Sequence, residues 1–240
     1  MLQIERQEQI MELLAKTPAL RIGQIAAALY TSEATVRRDV AAMEQKGLLR
    51  RVYGGVTLKK EDMPMELRRQ EHAAAKEEIA LQAAGLIRDG QTIFLDSSST
   101  AQHLLPHLSR FRELTVITNS HRAVEVLATA KLRLICTGGD LITRNMAFVG
   151  RVAEETLAQF CPELAFFSSQ GVGLDGEITD ASEGETSLRR VVMHRALRSI
   201  FLCDSSKVGK KYLHRLGTLA EMDSVITDSA FPADLLPKKR

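Results

Sequence analysis

Residues 92–100 read TIFLDSSST. The apolar stretch before Asp96 is typical of a buried strand, and four small hydroxyl residues follow it directly. A core gains nothing from such a cluster, whereas hydroxyls and free amides at the start of a helix suit an anion, above all a phosphate. The stretch therefore predicts a phosphate cradle before a helix that begins near Ala101. The alternative is an ordinary turn in which Ser99 or Thr100 caps that helix.

Strands and helices alternate through the chain beyond residue 75. The apolar segments are TIFLD, LTVITN, LRLICTGG, LAFFSSQGV, SIFLCD and SVITD, with helices expected near 101–109, 121–130 and 183–197. Continuous apolar strands that alternate with helices indicate a mostly parallel sheet covered on both faces. The predicted fold class of this larger part is α/β.

Small polar residues follow most of these strands. Ligands of open α/β sheets lie outside the carboxyl ends of the strands, so these residues are expected at one edge of the sheet. Among the strand-end motifs LDSSST, ITNS, TGGD and CDSSK, only Lys207 brings a cation that could balance a phosphate. The predicted effector-binding residues are Asp96, Ser98, Ser99, Thr100, Asn119, Ser120, Gly138, Gly139 and Lys207.

The first sixty residues show the periodicity of helices. Apolar residues at i, i+3, i+4 and i+7 mark a helix from Ile22 to Leu29, and a further helix is expected to begin after the N-cap Ser32. Only Tyr30 and Thr31 separate the two. This spacing is typical of a helix-turn-helix, whose second helix can enter the major groove of DNA.

The second of these helices has a polar face and is followed by a basic hairpin. With its apolar residues in the core, Arg38 points outward and Thr35 and Arg37 lie at its flanks. In LLRRVYGGVTL, the Gly54-Gly55 pair tolerates the positive φ angles of a two-residue hairpin turn, which predicts a wing that meets phosphates. The predicted DNA-binding residues are Ser32, Thr35, Arg37, Arg38, Arg50, Arg51, Tyr53 and Gly54.

Charge is unevenly distributed along the chain. Residues 1–60 hold ten Lys or Arg against six Asp or Glu, while the remainder holds 22 against 24. A basic module joined to a nearly neutral body suggests that the module faces a polyanion. A helical bundle with solvated arginines is the alternative, but three correctly spaced helices, the first of them marked by Ile10, Leu13 and Leu14, and a basic hairpin favour double-stranded DNA as the partner.

The segment TSEATVRRDVAAMEQKGLLRRVYGGV resembles the N-terminal signature of the DeoR-type bacterial transcription regulators, with Tyr53 in place of the usual His. IFLDSSST, VITNS, LICTGGD and LCDSSKVG are similar to later motifs of that family. Ser98 stands where the family usually has Gly, and Arg189 replaces a common Lys. The resemblance implies a winged helix-turn-helix followed by a domain that resembles ribose-phosphate isomerases and senses phosphorylated sugars or related metabolites. It also implies a repressor of a sugar or polyol catabolic operon.

An isomerase-like enzyme is the alternative function, because a shared fold does not decide function. The side chains that could supply acid–base chemistry are Asp96, Asp175, Glu185, Asp204 and Lys207. A DNA-reading module has no role in isomerisation, so no catalytic residue is predicted. His103 and His107 have the i, i+4 spacing of a metal pair, but Pro106 lies between them and no third ligand is evident nearby. No metal and no cofactor are expected.

The predicted domains are a winged helix-turn-helix at 1–57, a polar linker at 58–74, and an effector-sensing and oligomerisation domain at 75–240. A helix-turn-helix reads a short half-site, so a homo-oligomer, dimer or tetramer, is expected. No apolar stretch is long enough to cross a membrane and the N-terminus is charged, which predicts a cytoplasmic protein. The cysteines, expected to be buried free thiols, are Cys136, Cys161 and Cys203.

Overall fold

A computed structural model of the chain describes residues 2–17, 19–45, 48–53, 55–58 and 65–237. The chain divides into two compact units, Met1–Arg68 and Arg69–Arg240. The first contains a helix-turn-helix and the second a parallel sheet with helices, so the predicted fold class is confirmed.

The first unit packs three helices against a small antiparallel sheet. The three helices contribute the buried residues Ile10, Leu14, Ile25, Val36, Val40 and Met43 to one core. Helix α3 starts after Ser32, whose Oγ accepts a hydrogen bond from the Thr35 amide at 3.2 Å, as expected of an N-cap. The elements are α1 (Gln3–Lys16), β1 (Ala19–Arg21), α2 (Ile22–Ala28), α3 (Glu33–Gln45), β2 (Leu49–Val52) and β3 (Gly55–Leu58).

The wing is formed by β2 and β3, and β3 also pairs with β1, a strand that the sequence analysis did not predict. Val52 pairs with Gly55 and Tyr53 lies in the turn, while Gly54 lies outside the described residues. The prediction of a Gly54-Gly55 turn is therefore wrong for Gly55, which is a strand residue. A Cβ atom there would lie 2.6 Å from the Leu20 carbonyl oxygen, so close strand approach explains this glycine.

The segment 58–74, predicted as a linker, contains the helix α4 (Met65–Gln70). Met65 and Leu67 are buried, which gives this polar stretch an apolar face that favours a helix. Residues 59–64 lie outside the described ranges. The boundary between the two units falls inside this segment.

The second unit is built around a six-stranded parallel sheet in the order β14-β12-β9-β4-β5-β6. The elements are α5 (Ala73–Ala84), β4 (Thr92–Leu95), a 3-10 helix (Ala101–Leu104), α6 (Leu105–Leu108), β5 (Thr115–Thr118), α7 (His121–Leu127), β6 (Arg133–Cys136), β7 (Asp140–Ile142), β8 (Ala147–Val149), α8 (Arg151–Ala158), β9 (Leu164–Phe167), β10 (Gly171–Val172), β11 (Glu177–Asp180), α9 (Glu183–Arg195), β12 (Arg198–Cys203), β13 (His214–Thr218) and β14 (Ser224–Thr227).

The order of the strands fixes where a ligand can bind. The chain runs outward from β4 through β5 to β6, and then continues on the other side of β4 with β9. This reversal creates a crevice at the carboxyl ends of β4 and β9, which is where open α/β sheets bind ligands. Both faces of the sheet are covered, because Ile93 and Leu95 belong to one apolar cluster and Phe94 to the other.

Several features of the second unit were not predicted. Helix α8, the hairpin β7–β8 and the strands β11 and β13 lie outside the expected elements, and the expected strand LAFFSSQGV is divided between β9 and β10. The prediction of buried cysteines is correct for Cys203 but wrong for Cys161, which is exposed, and Cys136 is only partly buried.

Among the helices of the described residues, none combines the length and apolar character needed to span a bilayer.

Candidate DNA interface and effector site

The outward face of α3 is basic. Val36 and Val40 are buried, whereas Arg37 and Arg38 are exposed, as the periodicity predicts. Arg37 Nη2 lies 2.7 Å from Glu33 Oε2, one turn earlier, and both side chains are at least half exposed. The exposed pair contributes little to stability. Its effect is to direct the Arg37 side chain along the helix toward Glu33.

A groove of about 580 Å³ is lined by the wing, by Glu33 and Arg37 of the recognition helix α3, and by residues 21–24. Arginines reach it from three elements: Arg21 at the end of β1, Arg37 on α3 and Arg51 on β2. Arg21 was not among the predicted DNA-binding residues, because it lies outside the recognition helix and β1 was not foreseen. Three guanidinium groups around one groove provide the donors that DNA phosphates require.

The remaining predicted DNA-binding residues surround this groove or extend from the wing. Arg50, Arg51 and Tyr53 are exposed, and the Arg51 amide donates to Glu44 Oε1 at 2.9 Å, which ties the wing to α3. Thr35 is partly buried, with its Oγ1 2.8 Å from Ser32 Oγ. The structure therefore places the described members on one unit, and their contacts with DNA remain a prediction.

Asp39, next to the two arginines of α3, has a structural role that the sequence analysis did not identify. Its carboxylate is buried and accepts hydrogen bonds from Arg6 Nε and, at 3.1 Å, from Arg6 Nη2. This two-pronged ion pair joins α1 to α3. The signal that could have indicated it is an acid on the apolar face of an otherwise amphipathic helix.

The centre of the predicted effector site is Lys207, which follows β12. Its Nζ donates to Thr100 Oγ1 at 2.9 Å and to Ser168 Oγ at 2.5 Å. Thr100 follows β4 and Ser168 follows β9, so the ammonium group lies at the crevice between those strands. Asp204 Oδ2 lies 3.5 Å from the same Nζ. Burial would raise the pKa of Asp204, but Lys207 and the Ser206 hydrogen bond outweigh it and lower the pKa to about 2.

Asp96 holds the loops of this crevice together. Its buried carboxylate accepts hydrogen bonds from the Ser98 amide at 3.0 Å, the Ser168 amide at 3.3 Å and Arg189 Nε at 2.8 Å. Ser98 Oγ also donates to Asp96 and accepts from the Ala101 amide at 3.2 Å. Asp96 and the Ser98 hydroxyl are therefore already hydrogen-bonded within the protein.

Arg189, on α9, is buried among three carboxylates. Besides Asp96, it contacts Asp180 Oδ2 at 2.9 Å and Glu185 Oε1 at 3.4 Å. Burial alone would lower the pKa of Arg189, but the carboxylates raise it above its ordinary value, so the guanidinium stays charged. For Asp180 burial dominates and raises its pKa. The cluster fixes α9 and β11 beneath the crevice.

The other predicted effector residues also follow strand ends. Asn119 Nδ2 donates to the Phe148 carbonyl at 3.1 Å, and Ser120 caps α7 by accepting from the Ala123 amide at 3.2 Å. Gly138 and Gly139 both have positive φ. A Cβ atom would lie 2.5 Å from a carbonyl oxygen at Gly139 and would contact nothing within 4 Å at Gly138, so only Gly139 is packed against its neighbours.

The groups considered for catalysis or metal binding have other partners. Asp175 is exposed and lies 2.8 Å from Lys211 Nζ. His103 and His107 both face Glu77, with Nδ1–Oε2 and Nε2–Oε1 distances of 3.5 Å and 2.8 Å respectively. Within the part of the chain that the structure describes, no group of three or more His, Cys, Asp or Glu side chains is arranged to hold a metal ion.

A helix-turn-helix with a basic wing, followed by a ligand-binding type of α/β unit, defines a DNA-binding transcription regulator. Residues 6–62 match the DeoR-like helix-turn-helix domain, and residues 71–229 match the DeoR C terminal sensor domain. The chain belongs to the DeoR family, which confirms the resemblance and the predicted function as a DNA-binding regulator.

Curated relatives cover nearly the whole chain. It is 31% identical to the HTH-type transcriptional regulator GolR of Listeria innocua, over 99% of this chain and 95% of the relative. It is 34% identical to the lactose phosphotransferase system repressor of Staphylococcus epidermidis, over 94% of this chain and 92% of the relative.

Solved structures share parts of the fold. The translation factor subunit eIF2B delta from Chaetomium thermophilum matches with a TM-score of 0.50 at 16% identity, over 66% of this chain and 57% of that chain. Ribose 5-phosphate isomerase A from Methanocaldococcus jannaschii matches with a TM-score of 0.41 at 18% identity, over 55% of this chain and 53% of that chain. At 16% identity the similarity to eIF2B delta concerns the fold alone.

Proposed function

We propose that this regulator represses a sugar or polyol catabolic operon in the cytoplasm and is controlled by a phosphorylated sugar or related metabolite. Two similar proteins are named for sugar-related systems, the lactose phosphotransferase system repressor and the putative aga operon transcriptional repressor of Escherichia coli O157:H7. A homo-oligomer, dimer or tetramer, is part of this proposal, because one helix-turn-helix reads only a short half-site.

The observation that carries the proposal is the position of the Lys207 ammonium group between the hydroxyls of Thr100 and Ser168. One cation and two hydroxyls at the ends of adjacent parallel strands offer charge and hydrogen bonds to a phosphate. Asn119 Oδ1 and Gln102 Oε1 are buried acceptors that have no hydrogen-bond partner among the described residues. Such acceptors suit the hydroxyl groups of a polyol chain.

An isomerase-like activity is the competing function. Its candidate acids are occupied: Asp96 and Glu185 contact Arg189, and Asp204 lies beside Lys207. A carboxylate engaged with a cation of the protein is not placed to exchange a proton with a substrate. We therefore propose that the protein is not an enzyme. Purified protein should leave common pentose and hexose phosphates unchanged in an isomerase assay, and measurable turnover would contradict the proposal.

The first prediction concerns Lys207. Phosphorylated and dephosphorylated sugars and polyols are screened for thermal stabilisation, and the strongest ligand is titrated against native protein and Lys207→Ala. Loss of a charge-assisted contact costs roughly 1.5–3 kcal/mol, so affinity should fall by about one to two orders of magnitude. Binding to DNA without effector should stay at the native level, because Lys207 lies in the second unit.

Lys131→Ala is the matched control, because Lys131 is exposed and precedes β6 at the amino edge of the sheet. It should bind the effector as native protein does. Equal affinity for phosphorylated and dephosphorylated ligand, or native affinity in Lys207→Ala, would remove the phosphate site and leave residues 97–100 as a capped turn.

A further inference from the structure

Tyr30, in the turn between α2 and α3, combines an unfavourable backbone conformation with a fully exposed side chain. Its φ is 49°, in the left-handed region that bulky residues avoid. Its side chain is 97% exposed, so no burial in the core compensates. A residue that costs conformational energy and gains no packing within its own unit indicates a role outside it.

The left-handed conformation is imposed by the way α2 ends. The Thr31 amide donates to the Ala26 carbonyl at 3.0 Å, and the Tyr30 amide donates to the Ala27 carbonyl at 3.3 Å. These two bonds form a Schellman motif, with Tyr30 at the position that glycine usually fills because it has no Cβ. Glycine or asparagine would form this turn with less strain, so the turn itself does not explain a tyrosine.

The position of the turn identifies the partner. Tyr30 lies two residues before Ser32, the N-cap of the recognition helix. The N-terminal residues of such a helix contact base edges, so the residue ahead of the cap lies at the rim of the major groove, beside the phosphate backbone. Tyrosine hydroxyls are among the groups that donate to DNA phosphates.

We propose that the Tyr30 hydroxyl donates a hydrogen bond to a DNA phosphate and so helps to set the position of α3 in the groove. The contact adds to the arginines of the groove and wing, but it differs from theirs in being neutral. Lys and Arg contacts release counterions from DNA, and each steepens the dependence of affinity on salt. A neutral hydroxyl adds affinity without changing that dependence.

Tyr30→Phe in the full-length protein tests the hydroxyl. The probe is a fluorescent duplex of mixed sequence, since a phosphate contact carries no sequence information, and binding is followed by anisotropy at several salt concentrations. Affinity should fall roughly tenfold, the loss expected for a hydrogen bond to a charged group, with the salt slope unchanged. Arg50→Ala, by contrast, should make the slope shallower by about 0.9.

Tyr30→Asn separates binding from folding. Asparagine tolerates the left-handed region, so the thermal midpoint should rise by roughly 1–3 °C while DNA affinity falls at least as far as in Tyr30→Phe. Glu113→Asn is the matched control, because Glu113 is exposed, has a φ of 55° and lies in the second unit. It should raise the midpoint and leave DNA affinity unchanged. Native affinity in Tyr30→Phe, or a lower midpoint in Tyr30→Asn, would overturn the proposal.

Discussion

Ser98 and Ser99 are neighbours in the chain with opposite surroundings. The Ser98 hydroxyl is used twice within the protein, as donor to Asp96 and as acceptor from the Ala101 amide. The Ser99 side chain is partly buried, and the described residues offer it no hydrogen-bond partner. The four consecutive hydroxyls therefore do not form one uniform cradle: Ser98 stabilises the turn, whereas we predict that Ser99 contacts the ligand.

This difference gives a paired prediction. Ser98→Ala removes two internal hydrogen bonds and should lower the free energy of unfolding by about 1 kcal/mol, with effector affinity changed less than twofold. Ser99→Ala should keep native stability and bind the effector roughly three to ten times more weakly. Urea unfolding and titration with the ligand from the thermal screen measure the two quantities. The reverse pattern would show that Ser98, and not Ser99, faces the ligand.

In helix α3, neighbouring residues are expected to serve stability and DNA recognition separately. Asp39 faces inward and holds Arg6, while Arg38 on the preceding position faces solvent. The side chains are adjacent in sequence and about 100° apart around the helix. Mutations at these two positions should therefore have different physical consequences.

Asp39→Asn removes the buried carboxylate charge that faces Arg6, which should lower the free energy of unfolding. Arg38→Ala should leave stability within about 0.5 kcal/mol of native and weaken binding to the operator, once it is identified, by about 1–3 kcal/mol. Thermal unfolding and DNA titration separate the two effects. Native affinity of Arg38→Ala for both operator and random duplex would show that α3 is oriented differently on DNA.

The strands that could be predicted from the sequence are those with continuous apolar segments. Strands β4, β5, β9 and β12 are continuous apolar runs, because both of their faces are buried, and their pattern is visible without a structure. Strands β11 and β13 read EITD and HRLGT, which lack such a run. Asp180 of β11 is buried and pairs with Arg189 on α9. An ion pair between two different elements leaves no periodic pattern in the sequence.

Prediction of the candidate site is limited because some of its contacts depend on the order of the strands in the sheet. Lys207 and the hydroxyls after β4 follow strand ends, so sheet topology alone brings them to one edge. Ser168 donates to the Leu202 carbonyl and accepts from Lys207, and these contacts depend on the order β12-β9-β4. That order cannot be read from the alternation of strands and helices.

At the scale of the whole molecule, the two units have separate apolar cores, one around Ile25 and Val40 and the others around the parallel sheet.

Arg189→Met would leave the carboxylates of the second unit buried without their cation, a change that typically costs 3–5 kcal/mol. Hydrogen exchange measured by mass spectrometry should show lost protection in β4 and β9 and native protection in α1 and α3. Arg190→Met, at the exposed neighbouring position, should protect all four elements as native protein does. Equal loss of protection in both units would indicate a single cooperative fold.

The two sides of the proposed effector site, Thr100 and Lys207, are translated at different times. Lys207 lies 107 residues beyond Thr100. At roughly 5–20 residues per second, a ribosome needs about 5–20 s to travel between them. The DNA-reading unit ends at Arg68 and has its own core, so it is complete before either side of the site has been translated. A premature stop codon between the codons of Thr100 and Lys207 would therefore leave a chain that contains the whole DNA-reading unit but lacks one side of the proposed effector site.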